Sequence, residues 1–108
     1  MPRKRQDIDR FRLRANVLKA LAHPVRLMLV DALRDGERCV CELAEVVASE
    51  RTGISKHLAI LRQAGIVRDR KEGLKVFYSL ACPCVLDFFA CIEGVLKTHL
   101  RAQQAALR

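Results

Sequence analysis

The first third of the chain carries apolar residues at helical spacing. A stripe that includes Leu13 and Leu21 predicts an amphipathic helix over 6–21, with arginines on its other side. Pro24 suits the first position of a second helix, because the first turn of a helix leaves its N–H groups without intrahelical partners in any case. We expect the second helix to end at Gly36, since glycine accepts the left-handed backbone that often closes a helix.

Two further helical patterns occupy the middle of the chain. A short extended piece at 38–40 precedes a short helix predicted over 42–48. A second helix is predicted over 52–63, with Ser49 or Thr52 as its N-terminal cap. Its apolar positions follow the spacing i, i+4, i+7 and are Ile54, Leu58 and Leu61.

The apolar period then changes to two. Residues 66–67 and 76–78 predict two strands, and the charged run 68–75 between them predicts a β-hairpin with a basic tip that turns at Gly73. After Pro83 a broad apolar stripe predicts a last helix that runs to the C-terminus. Two short helices followed by a basic hairpin are typical of a winged helix-turn-helix, mainly α with a small β wing and about five helices in all.

Length and charge narrow the class of partner. The 108 residues suit one domain over 1–108, with residues 1–10 as a basic N-terminal arm. A net charge of +8 favours a polyanion, first a nucleic acid and second an anionic membrane surface. No apolar run approaches the ~20 residues of a membrane helix, and no apolar segment of a signal peptide follows the basic arm. We therefore expect a cytoplasmic protein that binds double-stranded DNA rather than a membrane.

The predicted helix over 52–63 and the hairpin supply the candidate DNA contacts. Serine and threonine hydrogen-bond to base edges or phosphates, while arginine and lysine read guanine or bind phosphates. The candidates on the helix are Arg51, Thr52, Ser55, Lys56 and Arg62. The candidates on the hairpin are Arg68, Arg70, Lys71 and Lys75. An enzyme is not favoured, because the chain shows no Cys-x-x-Cys before a βαβ unit and no Ser/His/Asp or paired-carboxylate arrangement.

Five cysteines form two Cys-x-Cys pairs, Cys39 with Cys41 and Cys82 with Cys84, and a single residue, Cys91. In extended backbone both sulfurs of such a pair lie on one side. If the piece at 38–40 pairs with the second hairpin strand, we expect the two pairs to converge. Packing against its apolar neighbours is the preferred role for Cys91, which is a less favoured ligand.

Thiolates in such a site select soft ions. Three suit As(III) or Sb(III), and four suit a tetrahedral ion such as Zn, Cd or Cu(I). Ligand binding at Cys39, Cys41, Cys82 and Cys84 is therefore one hypothesis for a signal. The alternative is oxidation or persulfidation of a pair, which needs two thiols within disulfide reach and no bound ion.

Four segments resemble the ArsR/SmtB family of metalloregulators. Residues 37–43, with the sequence ERCVCEL, resemble the family signature, and residues 55–67 resemble its recognition helix and the exit from that helix. His23-Pro24-Val25-Arg26, read from the chain alone as a helix junction, and Val76-Phe77-Tyr78 also match. The resemblance covers roughly residues 13–96.

The resemblance implies a homodimeric winged-helix repressor that leaves operator DNA when it binds a metal or metalloid. It places the first and last helices at the dimer interface and implies DNA contacts for Ser55, Lys56 and His57. The family's arsenic signature often has a third cysteine where this chain has Ala44, so the remaining ligands are expected from the later cysteines.

Overall fold

The computed structural model describes residues 4–47 and 51–107, without the side chains of Arg51 and Thr52. The proposed caps of the fourth helix, Ser49 and Thr52, therefore lie outside the described backbone or side chains. In the described ranges the elements are α1 (Arg5–Leu21), α2 (Pro24–Ala32), β1 (Arg38–Cys39), α3 (Val40–Val47), α4 (Arg51–Gln63), β2 (Val67–Glu72), β3 (Lys75–Leu80) and α5 (Val85–Ala106). This order confirms the winged helix-turn-helix.

The junction of α1 and α2 follows from the His-Pro sequence. His23 caps α2, and its Nδ1 accepts a hydrogen bond of 3.1 Å from the Val25 N–H. Pro24 occupies the first helical position, as predicted. The predicted end at Gly36 is too late, because the helix ends at Ala32 and a turn carries the chain to Gly36, whose φ is +135°.

The core lies where α2, α3 and α4 meet. The apolar stripe predicted for α4 is buried in full, because its i, i+4, i+7 spacing places all three side chains on one face. Side chains from α2 and α3 close the core around it. The largest fully buried side chains are Leu29, Val30, Leu33, Leu43, Ile54, Leu58 and Leu61.

A three-stranded antiparallel sheet in the order β1-β3-β2 forms the wing and its base. Cys39 on β1 lies opposite Phe77, so β1 pairs with the second hairpin strand as expected. The hairpin is present, but its turn is shorter than the charged run suggested. β2 and β3 extend through most of that run, Gly73, with a φ of +60°, and the fully exposed Leu74 form the turn, and Lys71 and Lys75 lie close to it.

Helices α1 and α5 project from this core. Many of their apolar residues are exposed, and the Cα radius of gyration is 17.1 Å, against about 13 Å for a compact chain of this length. The packing expected for Cys91 is not found within the chain, where Cys91 is exposed on α5. No described helix combines the length and apolarity needed to cross a membrane. The exposed apolar residues of the two helices include Phe11, Leu13, Val17, Leu18, Phe88, Ile92, Val95, Leu96 and Leu100.

Candidate nucleic-acid interface and thiol pairs

The exposed side of α4 is the surface that the fold offers to a DNA groove. α3 and α4 form the helix-turn-helix, and the buried Leu58 anchors α4 in the core. Ser55 and Lys56 are exposed, as the sequence predicted. The side chains of Arg51 and Thr52 lie outside the described part of the chain. α4 therefore keeps a polar side for base edges and phosphates.

His57 does not share that exposed side. Its half-buried ring lies against the His23 ring, with 4.4 Å between centroids, and its Nδ1 lies 3.2 Å from a guanidinium nitrogen of Arg26. Burial lowers the pKa of His57, and the neighbouring His23 and Arg26 lower it further. The DNA contact implied for His57 stays a prediction, and in the free chain the ring packs at the junction of α1 and α2.

Arg26 ties the end of α1 to α4. Its Nε donates a hydrogen bond of 2.6 Å to the Ala20 carbonyl, and Nη2 donates one of 3.3 Å to the Lys19 carbonyl. The same guanidinium contacts His57. The sequence analysis did not predict that Arg26 links α1 to α4. The one indication of it in the sequence was that Arg26 belongs to the His23–Arg26 segment, which resembles the family.

Two of the predicted phosphate-binding arginines already pair with carboxylates. Arg62 lies 2.9 Å from Asp69, while Arg70 lies 2.6 Å from Glu37 and 2.9 Å from Glu72. The hydrogen bond from Arg70 holds the pKa of the Glu37 carboxyl below its usual value. Exposed ion pairs of this kind are weak, so phosphate competes with them for the arginines. Phosphate would have to displace these carboxylates before Arg62 or Arg70 could bind it, so their predicted DNA contacts stay predictions.

The wing retains other cations. Arg68 makes one long hydrogen bond, 3.5 Å, to the Ala81 carbonyl. Lys71 and Lys75 are exposed on the two hairpin strands, and Lys56 is exposed on α4. None of these three lysines forms an ion pair with a carboxylate of the described residues. They are the cations best placed to neutralise phosphates.

The first cysteine pair lies where the sheet leads into the helix-turn-helix. Cys39 ends β1 and is buried, Cys41 is half-buried in the first turn of α3, and a disulfide joins them across a Cα–Cα distance of 5.4 Å. The Cys39 Sγ accepts a hydrogen bond of 3.3 Å from the Glu42 N–H, and a Glu42 carboxylate oxygen accepts one of 3.4 Å from the Cys39 N–H. These reciprocal bonds have the pattern of a capping box, with a sulfur in place of the usual hydroxyl.

The second cysteine pair lies between β3 and α5. Cys82 and Cys84 are exposed and joined by a disulfide across a Cα–Cα distance of 5.3 Å. They line one side of an apolar groove of about 480 Å³, whose other walls include Leu18 of α1 and Phe88 of α5. This pair therefore lies beside the exposed apolar faces of α1 and α5.

The two pairs do not converge within one chain. Cys39 lies opposite Phe77, and the strands are antiparallel, so α3 continues towards the wing while Cys82 lies beyond the other end of β3. The five residues from Phe77 to Cys82 span roughly 16 Å if extended. Among the described residues, no three His, Cys, Asp or Glu side chains form a group that fits a metal ion. The expected convergence is wrong, and each pair offers two sulfurs at a separate place.

Comparison with known proteins now decides the family. A family model described as "Bacterial regulatory protein, arsR family" matches residues 23–69, from the cap of α2 into β2. The chain is 35% identical over 98 residues to the HTH-type transcriptional regulator Rv0081 of Mycobacterium tuberculosis, a match that covers 90% of this chain and 86% of that protein. The chain is also 38% identical over 91 residues to a transcriptional repressor SmtB homolog of Synechocystis, across 84% of this chain and 69% of that protein. The chain belongs to the ArsR/SmtB family.

A solved structure agrees with this assignment of the ArsR/SmtB-family regulator. A fragment of Mb0332 from Mycobacterium bovis, described as a homodimeric winged helix-turn-helix DNA-binding domain, superposes with a TM-score of 0.78 at 32% identity and covers 93% of each chain. The chain is a transcriptional regulator with a DNA-binding fold and not an enzyme.

Proposed function

We propose that this ArsR/SmtB-family regulator is a homodimeric repressor that releases operator DNA when the Cys39–Cys41 pair is oxidised. One observation carries the proposal: two sulfurs within disulfide reach lie at the start of α3, the first helix of the DNA-binding pair. A change in the bonding of these sulfurs acts directly on the element that supports α4.

A second copy of this chain would bury the exposed apolar faces of α1 and α5 in a dimer interface. Leu13 on α1 and Val95 on α5 are more than two-thirds exposed, at 67% and 69%, which is unusual for large apolar side chains in a group. The similarity to the homodimeric Mb0332 fragment supports burial of these faces between subunits. A dimer also presents two α4 helices to the two half-sites of an operator.

Oxidation of the first pair restricts the residues that start α3. The Cys39 sulfur accepts the Glu42 N–H bond in the disulfide-linked state, and in the reduced state no covalent bond holds Cys39 against Cys41. On oxidation the two thiols lose two protons and two electrons to an acceptor, such as a low-molecular-weight disulfide that becomes two thiols. The new S–S bond fixes Cys39 against Cys41 and so biases the position of α3 and of α4 packed on it.

Operator affinity measured under reducing and oxidising conditions tests the proposal. We expect oxidation to weaken operator binding by about 5- to 150-fold, which corresponds to a coupling free energy of about 1–3 kcal/mol. Cys41→Ser should bind DNA like the reduced protein and lose the response, because a hydroxyl cannot form the disulfide. Cys91→Ser, on the exposed side of α5, is the matched control and should respond like the wild type. A full response from Cys41→Ser would move the switch to Cys82 and Cys84.

Release by As(III), Sb(III), Zn, Cd or Cu(I) is the alternative. Each pair supplies two thiolates, so an ion with three or four ligands would need further donors, for example from a second subunit. The same binding experiment distinguishes the two signals when arsenite or Cd(II) is added to fully reduced protein. Release by the ion, with no effect of disulfide formation, would favour the alternative.

A further inference from the structure

A cleft of about 340 Å³ separates the helix-turn-helix from the wing. One wall carries Cys39 and Cys41 at the start of α3, and Ser55 projects from α4. The opposite wall is the end of the wing, formed by Leu74 and Lys75. The first cysteine pair thus lines a space between the two elements that read DNA. We call this space the reading cleft.

The reading cleft has the chemistry of a phosphate contact. Lys75 is exposed and forms no ion pair with a described carboxylate, and Ser55 is an exposed hydroxyl on the recognition helix. Lysine and serine are among the side chains that bind the DNA backbone. Because Cys39 is only 4% exposed whereas Cys41 is half-buried, Cys41 is the more accessible sulfur of the pair.

We propose that the operator backbone enters the reading cleft and covers Cys41. Bound DNA and reagents that attack Cys41 then exclude each other from the same space. Oxidation acts on repressor that is free of DNA, and the operator protects the thiol while it is bound. The inference rests on the proposed function for the orientation of DNA on α4 and the wing. It adds a direct, local competition to the change in α3 described above.

The chemistry of attack is thiol–disulfide exchange. The Cys41 thiolate attacks one sulfur of a small disulfide, the S–S bond of that reagent breaks, and half of the reagent leaves as a thiolate. Cys39 then attacks the Cys41 sulfur and expels the other half, which leaves the Cys39–Cys41 disulfide. Without Cys39 the reaction stops at the mixed disulfide, so the first step can be measured alone.

A variant with one thiol isolates that step. Cys39→Ser combined with Cys82→Ser, Cys84→Ser and Cys91→Ser leaves Cys41 as the only cysteine. Serine is a favoured helix cap, so Cys39→Ser keeps an acceptor for the Glu42 N–H. The matched control keeps only Cys84, which is exposed beyond the opposite end of β3. Operator binding by each unmodified variant shows that it is folded.

The rate of reaction with an aromatic disulfide that releases a coloured thiolate is measured with and without operator. With operator at 100 times its Kd, we expect Cys41 to react about 100-fold more slowly, because only free repressor reacts. Cys84 should react at nearly the same rate in both conditions. Equal rates for Cys41 with and without operator would overturn the proposal, even if oxidation of the wild type still releases DNA. No effect of oxidation on the wild type would instead contradict the proposed function.

Adducts of equal size and opposite charge give a second readout on the variant that retains only Cys41. An anionic sulfonatoethyl adduct should weaken operator binding more than a cationic trimethylammonioethyl adduct, because it repels the phosphate in the reading cleft. If the anionic adduct removes one phosphate contact in each subunit, it should also reduce the log–log salt slope of operator binding by about 2 per dimer. The same affinity and slope for both adducts would contradict a phosphate in the cleft.

Discussion

At the scale of single residues, the side chains nearest the DNA-reading elements have partners that their residue types do not reveal. Arg62 and Arg70 were predicted from their charge, yet both are paired with carboxylates on another element or strand position. Arg62 on α4 pairs with Asp69 on β2, and Arg70 pairs with Glu37, which is 33 residues away, and with Glu72 on its own strand. The family resemblance implied a DNA contact for His57, and in the free chain its ring contacts Arg26. Such pairings depend on which loops meet in space, and a single sequence does not contain that information.

The half-buried position of His57 against His23 and Arg26 predicts a pH dependence of stability. Its pKa is lowered in the folded protein by burial and by His23 and Arg26, so the unfolded chain binds the proton more tightly. The contribution of His57 to the free energy of unfolding is therefore fully present above the ordinary histidine pKa of about 6.5. It is lost as the pH falls through that value towards the lower pKa of the folded state. Urea unfolding at pH 7.5 and at lower pH should show a smaller loss for His57→Gln than for the wild type.

His99→Gln on α5 is the control for this measurement. His99 is exposed on α5, outside the contact between His57, His23 and Arg26, so its replacement controls for the loss of a histidine as such. If His57→Gln and the wild type lose the same stability on acidification, the His57 ring is not held in the contact with Arg26 and His23.

At the scale of elements, periodicity predicted most of the fold. The apolar stripe of α4 and the junction at Pro24 were predicted closely, because buried faces and backbone restrictions are encoded locally. The start of α3 was placed two residues late, because a sulfur of Cys39 acts as the cap and cysteine is not among the usual cap residues. The strands of the wing were placed too short, because charged residues are depleted in strands except where both faces are exposed.

The wing and α4 should contribute to DNA binding in measurably different ways. For about 6–8 phosphates neutralised by a dimer, the log–log salt slope should be about −5 to −7. Lys71→Ala should weaken binding to all sequences alike and reduce that slope by about 2 per dimer, since it removes one cation from each wing. Lys56→Ala should also relax sequence preference, because Lys56 lies on the recognition helix.

Arg70→Ala is the matched control for Lys71→Ala. Both residues lie on β2, but the Arg70 guanidinium already pairs with Glu37 and Glu72, so its loss should change the salt slope less. Salt-dependent operator binding of the three variants is the measurement. An unchanged affinity for both lysine variants would show that the surface assigned to DNA is wrong.

At the scale of the whole molecule, the two cysteine pairs lie in different parts of the protein. The Cys39–Cys41 pair lies between the sheet and the helix-turn-helix, whereas the Cys82–Cys84 pair lies beside the apolar faces of α1 and α5. Spacing alone indicated two pairs but could not place them, because their separation depends on the register of β1 on β3. That register separates the two pairs within one chain.

The redox state of operator-bound and free repressor tests the central proposal most directly. A partly oxidised mixture is equilibrated with less operator than repressor, bound and free protein are separated, and the free thiols are blocked and located by peptide mass. If oxidation of the first pair releases DNA, the Cys39–Cys41 disulfide should be enriched in the free fraction, by about 5- to 150-fold relative to the bound fraction. An equal content of this disulfide in the two fractions would contradict the account.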